Sequence, residues 1–390
     1  MLNFKQFLFE EHGPDNELHL HPILHNFLHH LSSPTIHPEE VSLEEAHSIE
    51  HIQQHGKENA PSGNLFSHLR EGFHSAFPEG EHPDVTKRKA QESRKHFRNW
   101  MHERGGLAAK NTANLTSENG KTRLSTGEGV QTIGVSLAPH SSSGYKHNLC
   151  PKASSECKKN CLGFTAGGNK QYPEAAFRAK LLRTHYMAEH PEHYARLMSH
   201  EIGENEKWSD KHGYKAGFRP NVTSDVPYEH LMPKKFFDKH HKTQFYDYTK
   251  IASRLKNKDL PKNYSLALSH TGANHEESND KDVVHALENG HVVAMVHQKL
   301  KKNQKQPTHV EDVQTGRRWK LVNGDEDDNV YDRHKAAGIS KKEGVVSGLK
   351  LKGVKNEAAG HFANKVDDDG IIRINHPTTP KKKTIPIAKA

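Results

Sequence analysis

Cysteine is nearly missing from this chain, with 3 in 390 residues. Apolar residues are scarce as well, at 32%, which implies that part of the sequence is thinly packed. No run of about 18 apolar residues occurs, so the sequence offers no helix that would span a bilayer. The N-terminus also lacks the basic, apolar and small-residue succession of a secretory signal. These absences predict a soluble protein without a membrane partner, working where thiols stay reduced. An odd number of cysteines fits a disulfide framework badly and turns attention to metal or redox chemistry.

The few cysteines present sit together. Cys150, Cys157 and Cys161 fall within "NLCPKASSECKKNCLGF", residues 148–164. Thiolates bind soft or borderline metals, and three in one loop can meet on a single ion. With His147 the spacing becomes His-x2-Cys-x6-Cys-x3-Cys, a full ligand set for tetrahedral zinc. Without His147, three cysteines suit an iron–sulfur cluster whose open iron takes S-adenosylmethionine. The spacing departs, however, from the Cys-x3-Cys-x2-Cys pattern of radical enzymes that use that cofactor. Zinc is the first expectation and the cluster the second; three buried small side chains are the structural alternative.

Positive charge is in modest excess, +8 formally, and suggests a nucleic-acid partner. The 34 histidines are spread along the whole chain, as surface filling would place them, and predict growing self-repulsion below about pH 6. A basic amphipathic helix is expected over residues 87–106, "KRKAQESRKHFRNWMHERGG". Phe97, Trp100 and Met101 mark its apolar face, and Lys87, Arg88, Lys89, Arg94, Lys95, Arg98 and Arg104 supply charge. The opposing reading is a solvated face on an ordinary packed helix.

Four regions are expected. Residues 1–11, "MLNFKQFLFEE", place Leu2, Phe4, Phe7 and Leu8 at helical spacing. This stretch resembles the capsid-targeting leaders of T4-like tailed phages, with Leu8-Phe9-Glu10 at the position of the protease site. Residues 12–110 read as a His-rich extension, broken by Pro and Gly and lying outside the main core. Residues 125–365 alternate β-rich runs with helical stretches, which predicts an α/β domain with a mainly parallel sheet. About seven strands imply a complete or partial (β/α) barrel, with a doubly wound open sheet as the alternative. Residues 366–390, with Lys381, Lys382 and Lys383 among prolines, read as a flexible basic tail.

In either α/β architecture, functional side chains gather at the carboxyl ends of the strands. "FRPNVTSDVPYE" places Arg219, Asn221, Ser224 and Asp225 just past one strand, and "FYDYTK" places Asp247, Tyr248 and Lys250 at the end of the next. Ser269 and His270 end a third. Asp225 and Asp247, with Ser224 and Lys250, are the catalytic candidates for acid–base or nucleophilic work; the competing role for Asp225 is a helix cap. Arg219, Asn221, Tyr248 and Ser269 are candidates for substrate binding. Arg178 and Arg183 join them, because Gly163, Gly167, Gly168 and Pro173 precede a helix whose start suits an anion. Asp325, Glu326, Asp327, Asp328 and Asp332 are expected to form an acidic solvated loop, with a hard cation as the alternative.

The order of "LCPKASSECKKNCLG", "FRPNVTSDVPYE", "FYDYTK", "LALSHTG", "GHVVAMVH", "VNGDEDDNVYD" and "VVSGLKLKG" resembles the phage family known as gene product eighty-eight, over roughly residues 130–355. That resemblance implies a phage protein of the host cytoplasm, and with the leader it implies packaging in the virion with a capsid or scaffold partner. The combination of cysteines and paired aspartates is also distantly similar to the tRNA- and DNA-guanine transglycosylases, which are zinc-containing barrels. The expected activity is therefore modification of a base in nucleic acid or a nucleotide-like substrate, by exchange or by radical chemistry. The alternative is a DNA-binding, virion-associated protein whose zinc only stabilises a loop.

Overall fold

The fold is set by a train of short β-branched and aromatic runs separated by longer helical segments. The computed structural model describes residues 49–61, 63–105, 114–118, 122–145, 147–161 and 174–375. The leader at Leu8-Phe9-Glu10, the glycines at 163, 167 and 168, Pro173 and the lysines at 381–383 lie outside the described residues.

Nine strands form one sheet: β1 (Val130–Gly134), β2 (Lys215–Arg219), β3 (Thr243–Thr249), β4 (Tyr264–Ser269), β5 (Val292–His297), β6 (His309–Asp312), β7 (Arg318–Asn323), β8 (Val345–Lys350) and β9 (Ile371–Ile374). Their order is β1-β2-β3-β4-β5-β8-β7-β6-β9. Every pairing from β1 through β8 to β7 is parallel, while β6 runs antiparallel to β7 and parallel to β9. The first five strands thus lie side by side in chain order, as in a (β/α) barrel, but the sheet stays open. No reversal of order occurs among β1–β5, so they lack the switch point of a doubly wound sheet.

Helices α1 (Ile49–Glu58), α2 (Leu65–Ser75) and α3 (Pro83–Gly105) precede β1, followed by the short α4 (Leu124–Gly127). Between β1 and β2 come α5 (Ser155–Lys159), α6 (Glu174–Glu189) and α7 (Pro191–Lys211); α8 (Tyr228–Leu231) and α9 (Lys234–Lys239) precede β3. A single 3-10 segment, Ala252–Lys256, joins β3 to β4; α10 (Asp280–Glu288) precedes β5, and α11 (Arg333–Ala337) precedes β8.

The segment expected as an appendage is, from α2 through α3, part of the main core. Asn64 caps α2, its Oδ1 accepting from the Phe66 amide at 2.9 Å. Leu65, Leu69 and Phe73 then fall at i, i+4 and i+8 and are buried. They share one apolar cluster with Phe97, Trp100 and Met101 of α3, Tyr186 and Tyr194 from α6 and α7, and Phe218 and Phe245 from the sheet. The packed face of α3 and its charged face therefore coexist. The expected tail also begins too early: β9 lies within 366–390 and pairs with β6.

Candidate functional site at the carboxyl edge of the sheet

The loop after β1 carries the three cysteines across the carboxyl ends of the strands. Its contacts mark the route. The Asp225 amide donates to the Leu149 carbonyl at 2.8 Å, beyond β2. The Ser155 amide donates to the Glu277 carboxylate at 2.9 Å, beyond β4. Asn160 Nδ2 donates to the Ala359 carbonyl at 3.4 Å, beyond β8. Gly272, at φ +103°, lets the β4 loop approach the same region, because a Cβ there would collide with the His361 carbonyl. Ser154 caps α5 by accepting from the Cys157 amide, which fixes Cys157 one turn from Cys161.

Cys150 accepts from the His140 amide at 3.4 Å and faces the Thr223 carbonyl at 3.8 Å. Burial pushes its thiol up to about 12, with the charges of Asp225, Cys161 and Cys157 adding to the effect. Cys150 therefore lies close enough to feel the charges of Asp225, Cys157 and Cys161. Lys180 of α6 is 5% exposed; burial lowers its ammonium to about 8, against the opposing pull of Cys161.

A metal ligand set requires thiolates converging at bonding distance. The Cys150 sulfur is instead directed at the Thr223 carbonyl. Among the described residues no group of three or more His, Cys, Asp or Glu is arranged to hold a metal ion. His147 is half-buried and takes no part in such a group. As placed, the four residues do not fit a closed zinc site or an iron–sulfur cluster, and no step below passes through either.

Close by lies Arg254, which no sequence pattern flags. It sits in the 3-10 segment, 2% exposed, and gathers three carboxylates. Its Nε and Nη2 donate to Glu229 at 2.7 Å each, Nη1 donates to Asp225 at 2.5 Å, and Nη2 reaches Asp247 at 3.4 Å. Asp225 Oδ2 also accepts from the Lys250 amide at 2.9 Å. Asp225 is no helix cap: α8 starts at Tyr228 behind the N-cap Pro227, without a side-chain cap.

Asp225 and Asp247 are thus brought together, as expected, but around an arginine. Asp247 is fully buried and accepts from the Asn221 amide at 3.0 Å, Asn221 Nδ2 at 2.7 Å and the Tyr264 hydroxyl at 2.5 Å. Burial raises it to about 6, although Arg254 and these donors pull the other way. Its carboxylate is enclosed on all sides and meets only protein groups. Asn221 and Ser224 are likewise consumed by the turn after β2. The Asn221 Oδ1 accepts from Ser224 Oγ and the Val226 amide at 2.8 Å each, and its Nδ2 donates to the Val226 carbonyl at 2.8 Å.

Lys250 stays half-buried at the edge, its Nζ donating to Ser269 Oγ at 3.3 Å and the His270 carbonyl at 3.1 Å. His270 is buried, bonded to Asp280 at 2.6 Å and to Asn364 at 3.2 Å.

Arg219 and Tyr248 do not join this cluster. Side chains alternate across a strand, so Tyr246 and Tyr248 project opposite to Asp247. There Asp328, fully buried, accepts from Arg219 at 2.9 Å, Tyr246 at 2.8 Å and Tyr248 at 3.0 Å. Arg219 also stacks on the Tyr248 ring at 4.7 Å. The acidic stretch expected as a solvated loop is therefore anchored by a buried ion pair; Asp327 similarly bonds Arg333 at 3.1 Å. Of the arginines on α6, Arg178 is buried, and Arg183 donates to the Asn114 carbonyl at 3.1 Å.

An open, mostly parallel sheet with helices between its strands defines the class of open α/β proteins. Within that class the chain belongs to the gene product 88 family of phage proteins, whose model matches residues 106–365. No curated protein and no solved structure matches the chain. The matched region takes in the cysteine loop, Arg254 with its three carboxylates, and β1 through β8. Among the described residues no helix is long and apolar enough to cross a membrane.

Proposed function

We propose that the protein is an enzyme modifying bases in nucleic acid or a nucleotide-like substrate, with its active site under the cysteine loop. The observation that carries this reading is the convergence of Cys150, Cys157, Cys161, Lys180, Asp225 and Lys250 at one end of the sheet. They come from four separate stretches of chain, which packing alone does not require. An amine lowered to about 8 exchanges protons near neutral pH, so Lys180 is assigned general acid–base work on the base. Lys250, steered by Ser269 and the His270 carbonyl, supplies a fixed cation for a phosphate or a developing oxyanion. Asp225, Asp247 and Glu229 hold Arg254 and thereby the backbone that carries Lys250. In this reading the enzyme works in the host cytoplasm, and the Leu8-Phe9-Glu10 leader directs copies into the capsid.

The test is nucleoside analysis. DNA and RNA from host cells expressing the full chain are digested and compared by mass spectrometry with those from cells expressing Lys180→Met. A nucleoside mass present with the native chain and missing with the variant supports the reading; identical profiles in native, variant and non-expressing cells overturn it.

A further inference from the structure

We propose that the cleft between α3 and α7 is a binding path for nucleic-acid phosphates, separate from the carboxyl-edge cluster. The cleft encloses about 440 Å³ and is lined chiefly by Lys87, Arg94, Lys95, Arg98, His200 and Glu204. It shares no residue with the cysteine loop or with the groups around Lys250.

The cations of α3 fall into two populations. Away from the cleft they are paired: Arg88 with Glu92 at 3.7 Å, Lys89 with Glu81 at 2.5 Å and Arg104 with Glu189 at 3.6 Å. Inside it, Lys87, Lys95 and Arg98 make no hydrogen bond or ion pair among the described residues, and Arg94 donates to the neutral Asn114 side chain at 3.2 Å. The one acid lining the cleft, Glu204, is bonded at 2.9 Å to Lys207. Arg94 and Arg98 sit one helical turn apart, where like charges oppose each other. Partial desolvation, followed by the nearby charge of Arg94, holds the Arg98 guanidinium below its ordinary range, with Glu201 pulling the other way. An anion in the cleft would relieve both penalties.

A phosphodiester chain fits this arrangement better than an isolated anion does. From Lys87 to Arg98 the helix rises about 16 Å, long enough to meet several phosphates of one strand, which recur about every 3.4 Å measured along the duplex axis. Two guanidiniums offer forked donors to phosphate oxygens. The neighbouring cavity of about 770 Å³ shares Lys87 and His200 but is also lined by Glu81, Glu206 and Asp210, so the cationic path is confined to the cleft itself. This site stands whether or not the carboxyl edge is catalytic.

The test is fluorescence anisotropy of the full chain with a labelled DNA duplex of about 20 base pairs, titrated at several salt concentrations. Lys95→Glu with Arg98→Glu should weaken binding at least about tenfold and lower the slope of log K against log salt by about two. Arg88→Glu with Lys281→Glu makes the same change in net charge outside the cleft and should leave affinity within about twofold. The exposed pair Lys87→Ala and Lys95→Ala supplies a second variant set should charge reversal disturb folding. Equal weakening by the outside pair, or no weakening by either cleft pair, overturns the proposal. So does competition by polyglutamate as effective as that of unlabelled duplex, which would mark the cleft as a reader of acidic protein segments.

Discussion

Arg254 and Glu229 are joined by two parallel hydrogen bonds of 2.7 Å inside the protein, and the same guanidinium bonds Asp225. Removing the cation would leave a cluster of buried carboxylates without their counter-ion. Arg254→Met should therefore cost about 3–5 kcal/mol in urea unfolding, or prevent folding altogether. Asp247→Asn should cost less, because the amide oxygen still accepts from Asn221. Equal stability of Arg254→Met and the native protein would remove the arginine from its central place.

On the opposite face of β3, Asp328 gathers Arg219 and two tyrosine hydroxyls. Asp328→Asn leaves Arg219 buried without its anion and should destabilise by about 3 kcal/mol. Tyr246→Phe and Tyr248→Phe each remove one bond to a charged acceptor and should cost about 1.5–3 kcal/mol. Thermal melts of the three variants check the order of effects, with the aspartate variant expected lowest.

Cys150 is expected to be the slowest thiol. With its thiol pushed up to about 12, it presents little thiolate at neutral pH, and the thiolate is the reactive form. Timed alkylation read by mass spectrometry should modify Cys157 and Cys161 well before Cys150, with Cys150 catching up only in strong base. Simultaneous protection of all three, lifted by a chelator, would show that the loop closes on a metal in solution.

Three imidazoles meet where α3 crosses α7: His96 stacks on His193 at 4.4 Å and meets His190 edge-on at 4.6 Å. Burial lowers all three, His190 to about 4. Glu103, Glu92 and Glu192 pull His96 and His193 the other way, while Arg104 and Arg196 add to the lowering of His190 and His193 respectively. Between about pH 6.5 and about pH 4 the unfolded chain binds protons that the folded His190 does not, so stability falls as the pH drops through that window. The melting temperature should decline by several degrees across it, and His190→Gln should flatten the decline. A profile unchanged by that substitution would exclude His190 as the cause.

The α/β architecture was legible because seven of the strands are runs of β-branched and aromatic residues bounded by polar turns. The two that escaped are four residues long: "HVED" of β6 is half charged, and "IIRI" of β9 stood in what read as a tail. Only a long-range pairing, His309 with Ile371 through Asp312 with Ile374, makes them strands. The strand-end rule placed Asp225 beyond β2, Asp247 and Lys250 at the end of β3 and Ser269 at the end of β4, where they lie. It did not distinguish the two faces of β3, which separate Tyr248 from Asp247. Nor could it see Arg254, whose role depends on three acids far off in sequence or on another element. The cysteines were legible as a cluster, whereas the upward push on the Cys150 thiol follows from burial, which spacing does not reveal.

The open margin of the sheet at β1 is covered at Gly134 by a small device. Ser117 and Gly134 exchange backbone bonds of 2.9 and 3.0 Å, and Glu201 of α7 accepts from the Leu115 and Thr116 amides at 2.9 and 2.7 Å. This short latch occupies hydrogen-bonding groups that would otherwise recruit a strand from a second molecule. A fragment trimmed to the first strand would lose it and gain a self-adhesive border, so oligomers or fibres from such a fragment would report the trimming and not the native assembly.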